Sequence, residues 1–534
     1  MKFKRHLFAA GLIAATAMAT PVFAETVLRL DESPTGELDP AKASDYADSI
    51  LMYNLYDTLV IPNEGQPGFQ PFLATDWTVS DDGKTYTFKL RDDVTFQSGN
   101  PLTADDIVFS LDRMKAIGQG LSYLFDVVDS ASATDPQTVV FTLKQANAPF
   151  VSTLVRLPIL DEKTVLEQLD GGNGTDDMGD WGQAWLSEHT AGSGAYALTS
   201  HNPQEETEMV KNPDYFLSVP AAAPDRVRFR YGLEAATVRT LIAQGEHDIS
   251  SQWLPPEVLK SLADDGAQLL QEKGTTEFYI KMNTAKAPFD DPECRLAMAY
   301  AFDYDTGVKM VSITDEVSQG SPSTGALPVG MMGALGDDHV MKQDLEKAKE
   351  HLAACQYPAS DINVDLSWIG EVPLEERFAL LMQANLSQIG VKSTIRKVPW
   401  ALFTEQVTKP ENTPDISQVF VNTITGDPDT LLYPMYASSA EGTWMSPEHL
   451  NDPKVDDMLE TGRVESDPEK RTAIYKELNE YLVSIAPTIY AQDQTPVFAA
   501  SDRVSVPALS DPSRAYALAG FGFNFRMMEM KDAQ

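Results

Sequence analysis

The residues able to do chemistry are plentiful, and their spacing decides what they can do. The chain holds 79 Asp and Glu, seven His and two Cys. His6, His189, His201, His247, His339, His351 and His449 nowhere form a His-Glu-x-x-His pair, which would set two imidazoles on one helix face for zinc. Gly192-Ser193-Gly194 lacks the Gly-x-Ser-x-Gly frame of a nucleophile elbow and reads as a tight turn before a strand. Among so many carboxylates, acidic pairs arise by chance and single out no general acid or base. Asp170 to Asp180, DGGNGTDDMGD, lacks the alternating acids and closing Glu of a calcium loop and reads as a solvated loop. No phosphate loop or dinucleotide fingerprint is present. The expectation is a protein that is not an enzyme, with no cofactor and no resident metal. Cys294 falls in an apolar helical pattern and Cys355 ends another. One pair in so long a chain is a weak disulfide signal, so free thiols are the expectation and a disulfide the alternative.

The ends and the charge narrow the setting. Lys2, Lys4 and Arg5 precede an apolar, small-residue stretch from Leu7 to Ala19, and Val22-Phe23-Ala24 offers a cleavage site before Glu25. Residues 1–24 therefore read as a secretory signal. No Cys follows the site to carry a lipid, and no later stretch is long and apolar enough to span a membrane. The expected location is the periplasm, where a disulfide is permitted. Three of the 41 Lys and Arg, and none of the 79 acids, lie in the signal, leaving a net charge of −41 on about 510 residues. That balance opposes binding to nucleic acid or anionic lipid and favours solubility.

Several elements can be read directly. Tyr86, Phe88 and Leu90 alternate with Thr85, Thr87 and Lys89, the pattern of a half-buried strand. Asp82-Gly83 separates that run from Trp77-Thr78-Val79, a hairpin signal. Thr103, three residues before Asp106 and ahead of Ile107, Phe109 and Leu111, reads as a helix N-cap. Leu345, Ala348, Leu352 and Ala353 fall at helical spacing, as do Ile474, Leu478, Tyr481 and Leu482, with Pro487 as a stop.

Taken together, the segment from Pro71 to Met114 resembles the signature of family 5 extracellular solute-binding proteins, the dipeptide-, oligopeptide-, nickel- and oligosaccharide-binding receptors of ABC importers. The matching residues are Leu73-Ala74, Trp77, Asp82-Gly83-Lys84, Phe88-Lys89-Leu90-Arg91, Phe96, Gly99 and Thr103-Ala104-Asp105-Asp106. Further landmarks are Leu38-Asp39-Pro40 with Tyr53 to Leu59, Gly192 to Tyr196, Lys211 to Tyr215, Gly245 to Ile249, and Asn283-Thr284 with Pro288 to Asp291. Asp344 to Ala348, Asp467 to Arg471 and Ala486-Pro487 complete a series spanning nearly the whole mature chain. The resemblance implies an α/β protein of the periplasmic-binding-protein type II kind, two lobes joined by a two-strand hinge. Lobe I would comprise residues 25–65, 189–280 and 495–534, an inserted extra domain 66–188, and lobe II 281–494. A small solute, a peptide or an oligosaccharide-like molecule, would be held between the lobes and passed to an ABC permease and ATPase complex by a monomeric receptor. Nickel-type members leave a chelated metal as a further cargo.

The resemblance also nominates site residues. Trp400, in Val398-Pro399-Trp400, takes the place of a pocket-lining Trp at a helix start. Trp253 follows the Gly245–Ile249 element, and Tyr46 and Tyr53 lie in the N-terminal cleft-side motif. The Trp-x-x-Asp element ahead of Asp427-Pro428-Asp429 is altered: Val421 stands at the Trp position and Ile424 at that of the Asp that meets a ligand ammonium. Asp427 is the substitute anchor if the loop shifts. No basic residue occurs from Trp368 to Pro373, where dipeptide binders carry a carboxylate-binding Arg, and Arg377 falls downstream in a helical phase. Burying the charged ends of a peptide without partners is costly. The expected ligand is therefore a longer or modified peptide, or a neutral, hydroxyl-rich solute held by Trp400, Trp253, Asn422 and Thr423.

Overall fold

The computed structural model describes residues 25–32, 37–172, 177–272 and 276–531. The signal read at 1–24 and the middle of the acidic loop, 173–176, lie outside the described residues.

One lobe is built on a six-stranded sheet in the order Gly320–Ser321, Thr488–Gln494, Thr276–Met282, Ile416–Asn422, Asn363–Ile369, Lys392–Val398. The last three run parallel to one another. Helix Pro373–Gln388 makes the crossover between Asn363–Ile369 and Lys392–Val398, as parallel pairing requires. Thr276–Met282 and Thr488–Gln494 are buried at every residue. Strands covered on both faces are normally apolar throughout. Here they carry Glu277, Lys281, Gln492, Asp493 and Gln494, whose polar groups must find partners in the interior. Lys281 does so through a fully buried ion pair with Glu448 at 3.0 Å.

The other lobe places Val27–Glu32 parallel to Arg226–Tyr231, which continues into Glu206–Lys211 and Tyr196–Asn202. Single bridges from Leu30 to Ile249 and from Ile249 to Ala500 connect it to the pair Gln268–Gln271 and Val497–Ala500. The chain thus leaves this lobe after Gln271 and returns at Val497. The strands next to the two crossings, Thr276–Met282 and Thr488–Gln494, pair antiparallel in the opposite lobe.

A third sheet, Ala74–Val79, Thr85–Leu90, Thr138–Leu143 and Val128–Asp135, carries helix Ala104–Ile117 on one face. The hairpin turns at Asp82-Gly83, where Gly83 adopts φ +68°, a conformation glycine reaches without Cβ strain. Asp106 accepts hydrogen bonds from the Thr103 N–H at 2.8 Å and the Thr103 hydroxyl at 3.1 Å, closing the helix start. Arg113 on this helix is wholly buried and grips Asp39 with two bonds of 2.6 Å, fastening the third sheet to the N-terminal segment.

The expectation of free thiols is corrected. Helices Pro292–Ala301 and Leu345–Ala354 pack together, which brings the Cα atoms of Cys294 and Cys355 to 5.0 Å, and the two form a disulfide. The spacing of 61 residues gave no sign of this, because the pairing depends on the contact between the helices. Among the described residues no helix is long and apolar enough to cross a membrane.

Candidate solute-binding cleft

Ile369, Val398 and Asn422 end three parallel strands at one edge of the six-stranded sheet. Such carboxyl edges are where α/β sheets receive ligands, because the loops diverge there and leave a crevice. The segments that follow are Gly370-Glu371-Val372, Pro399-Trp400 and Thr423-Ile424. On the opposite lobe, Ile249 leads into Ser250-Ser251-Gln252-Trp253. These edges meet. The Trp253 ring stands edge-on to Phe420 at 5.9 Å, and Gln319 donates through Nε2 to the carbonyls of Gln252 and Leu254 at 3.3 and 3.2 Å. Arg377, near the start of helix Pro373–Gln388, reaches Glu257 of the other lobe at 2.6 Å.

Between them lies a narrow cavity of about 30 Å³ bounded by Gln252, Trp253, Gln319, Leu374, Arg377 and Gln494. Among the described residues, two buried amide atoms of its wall, Gln252 Nε2 and Gln319 Oε1, find no hydrogen-bond partner. Behind Gln494, Gln492 gives Nε2 to Gln494 Oε1 at 3.0 Å and keeps its own Oε1 unpaired. A buried polar atom without a partner costs roughly 1–3 kcal/mol, so a partner arriving in the cavity would relieve that cost. Arg377 is already neutralised by Glu257.

On the opposite face of the crossing strands Glu277 and Asp493 stand directly opposite one another. Burial, and then the neighbouring Asp493, push Glu277 well above the carboxylate range; burial raises Asp493 to about 6. Ser323 and Tyr279 hydroxyls bond Glu277, and the Val329 N–H bonds Asp493.

A second cavity, also of about 30 Å³, has Ser49, Met52, Tyr53, Val155, Arg156 and Phe521 in its wall. Arg156 is 8% exposed. Its Nε donates to the Ile424 carbonyl at 2.7 Å and its Nη2 to the Ala519 carbonyl at 3.4 Å.

The nominated residues fall in different places. Trp253 lines the first cavity and Tyr53 the second. Tyr46 is buried and donates to Glu272 at 2.7 Å. Trp400 is 39% exposed; its ring meets Trp444 at 5.3 Å, its backbone N–H donates to the Glu371 carboxylate at 3.1 Å, and it lines neither cavity. Asn422 accepts from the Thr276 hydroxyl across the sheet, and Thr423 reaches the Ala517 carbonyl at 3.5 Å. Ile424 packs on the apolar cluster that contains Tyr516, Leu518 and Phe521. Asp427, the alternative anchor, is engaged within the lobe. It caps helix Pro428–Tyr436 and holds Arg471 with two bonds of 2.7 Å. An acid bonded twice to its own guanidinium has little left for a ligand ammonium. Sequence reading passed over Arg156, Gln252, Gln319 and Gln494. Arg156 had a visible signal, as the lone charge in the run from Phe150 to Leu160.

Residues 68–443 match the family described as bacterial extracellular solute-binding proteins, family 5, middle. A curated relative, the probable D,D-dipeptide-binding periplasmic protein DdpA of Escherichia coli (strain K12), is 27% identical over 462 residues, 85% of each chain. The fold is shared with the periplasmic binding protein DppA of Helicobacter pylori in complex with the peptide STSA, at TM-score 0.79 and 23% identity over 95% of this chain and 98% of that one. It is also shared with AgaA of A. tumefacien R10 in complex with agropinic acid, at TM-score 0.77 and 21% identity over 96% and 99%. Signature residues, two-lobed architecture and facing sheet edges converge with these likenesses, and the chain belongs to the family 5 bacterial extracellular solute-binding proteins.

Proposed function

We propose that this protein captures a peptide or similar-sized organic solute between its lobes in the periplasm and delivers it, as a monomer, to an ABC permease driven by its ATPase. The observation that carries the reading is the space between facing sheet edges, walled by Trp253 and by amide groups that lack partners. Residues 25–65, 189–280 and 495–534 serve as one lobe, 281–494 as the other and 66–188 as the inserted domain. Ligand stabilises the closed arrangement by bridging both edges, and a permease can distinguish that state from the open one. The relative named for D,D-dipeptides and the neighbours holding a peptide or agropinic acid support an organic solute of this kind. Ile424 in place of an acid, and Asp427 engaged with Arg471, favour a ligand without the usual ammonium anchor, including non-peptide solutes.

The test is thermal unfolding of solute-free protein against dipeptides, capped peptides, oligosaccharides and metal chelates. A ligand at 100 times its Kd adds about 2.7 kcal/mol of stability. The reading predicts a shift with at least one organic solute, weakened in Trp253→Ala; no shift with any class would overturn it.

A further inference from the structure

The loop Thr423-Ile424-Thr425 follows strand Ile416–Asn422 and finds its partners across the lobe boundary. Thr423 is 1% exposed and Thr425 fully buried, although loops ordinarily run over the surface. Arg156 of the inserted segment donates from Nε to the Ile424 carbonyl at 2.7 Å. The Ser152 and Thr425 hydroxyls meet at 3.2 Å. The Ile424 side chain packs on the apolar cluster that holds Leu518 and Phe521 of the C-terminal segment. A little apart, the Ala148 N–H of the inserted segment donates to the Arg463 carbonyl of the opposite lobe at 3.0 Å. On its own side the loop is braced: the Thr425 and Thr430 hydroxyls bond at 2.7 Å, and Asp427 is fixed by Arg471. A loop held so firmly by one lobe cannot follow the other, and opening the cleft must break these contacts.

Resting on the division into lobes proposed above, and on no particular solute, we infer that residues 423–425 are a clasp that docks into the inserted domain and holds the lobes together before any solute arrives. Ser152 and Arg156 form the catch. Every contact in the clasp joins protein to protein, and the hydroxyls and the guanidinium are shielded from water while it is shut. The surface pair Arg377–Glu257 also spans the lobes, but exposed ion pairs hold weakly. Solute then adds to a closure that the protein already favours. A receptor whose open, loadable form is a minor population binds with an apparent affinity reduced by that fraction. The inserted domain therefore sets how readily the cleft loads.

The test uses the solute-free, full mature protein and two readouts. Small-angle scattering reads the shape. Hydrogen exchange at the Ala148 amide reads opening, because its acceptor lies in the opposite lobe. The closed reference is the double variant Ser152→Cys, Thr425→Cys; its sulfurs would replace oxygens 3.2 Å apart, close enough to oxidise to a cross-link. Among the described residues no free cysteine competes. Wild type should scatter like the cross-linked reference. Ser152→Ala combined with Ile424→Ser should give a larger radius of gyration and exchange Ala148 about tenfold faster. Amides of strand Thr276–Met282, bonded within one lobe, should keep their protection and so show that the variant is folded. Arg156→Gln should behave like the loop variant; if it does not fold, Ser152→Ala with Ile424→Ser decides. A wild type more extended than the cross-linked reference, a double cysteine variant that stays reduced, or a loop variant that matches wild type in both readouts overturns the clasp. No solute enters these measurements, so failure of the clasp leaves the receptor reading standing, and a silent solute panel leaves the clasp standing.

Discussion

Tyr46 and Glu272 are joined by a 2.7 Å hydrogen bond, tying the helix Tyr46–Leu55 to the segment that leads into the first crossing strand. The Glu272 carboxyl is 2% exposed. Burial raises it to about 7, while Tyr46, the N–H groups of Gly520 and Gly522, and Arg156 pull it back down.

This sets a pH dependence. Between the ordinary carboxyl value of 4.5 and about 7, the unfolded chain has lost this proton and the folded one keeps it. The folded state then binds more protons, so the contribution of Glu272 to stability falls as pH rises through that window. The loss is on the order of 3 kcal/mol. Denaturant unfolding at pH 5 and pH 8 should show wild type losing ground to Glu272→Gln by an amount of this order. A gap that stays constant with pH would contradict it.

The Arg377–Glu257 pair spans the lobes at 2.6 Å, with both side chains 40% or more exposed. Exposed pairs are worth about 0.2–1 kcal/mol and are screened by salt. Removing either partner should weaken solute binding about two- to fivefold at low ionic strength, and less at 0.5 M salt. An effect that grows with salt would mean the pair does not act as an ionic latch.

Asp427 should matter for folding and little for recognition. Asp427→Ala removes a helix cap and strands a mostly buried Arg471, at a cost of about 2–4 kcal/mol. Solute affinity of the folded fraction should remain within about twofold. Loss of affinity with stability intact would return Asp427 to the role of a ligand anchor.

The Cys294–Cys355 bond closes a loop of 61 residues. Paired Ala substitution or reduction should lower unfolding stability by about 2–4 kcal/mol. Urea titrations with and without reductant read this directly, and coincident curves would argue against the bond in solution.

The local signals that could be read in the sequence are those whose physics is local. Gly83 had to turn a hairpin, Thr103 had a carboxylate three residues away to close its cap, and the apolar spacing of Leu345, Ala348 and Leu352 had to form a buried helix face. The two-lobe plan followed from motif resemblance along the chain. The site was less accessible. Asp427 could be seen as an acid, but its partner Arg471 is 44 residues downstream. Arg156 meets Ile424 across 268 residues. The cysteines needed two helices to pack before their distance meant anything. Trp253 was singled out by its place after Ile249, whereas the glutamines beside it carry no sequence pattern and became conspicuous only through unpaired amide atoms in a cavity wall.

Both cysteines belong to the lobe of the six-stranded sheet, and the bond between them crosses neither the cleft nor the two connecting strands. Oxidation and solute capture are therefore independent variables. The cross-link can form before the molecule meets its cargo, survive each cycle of loading and release unchanged, and give a thiol reagent nothing by which to tell a full receptor from an empty one.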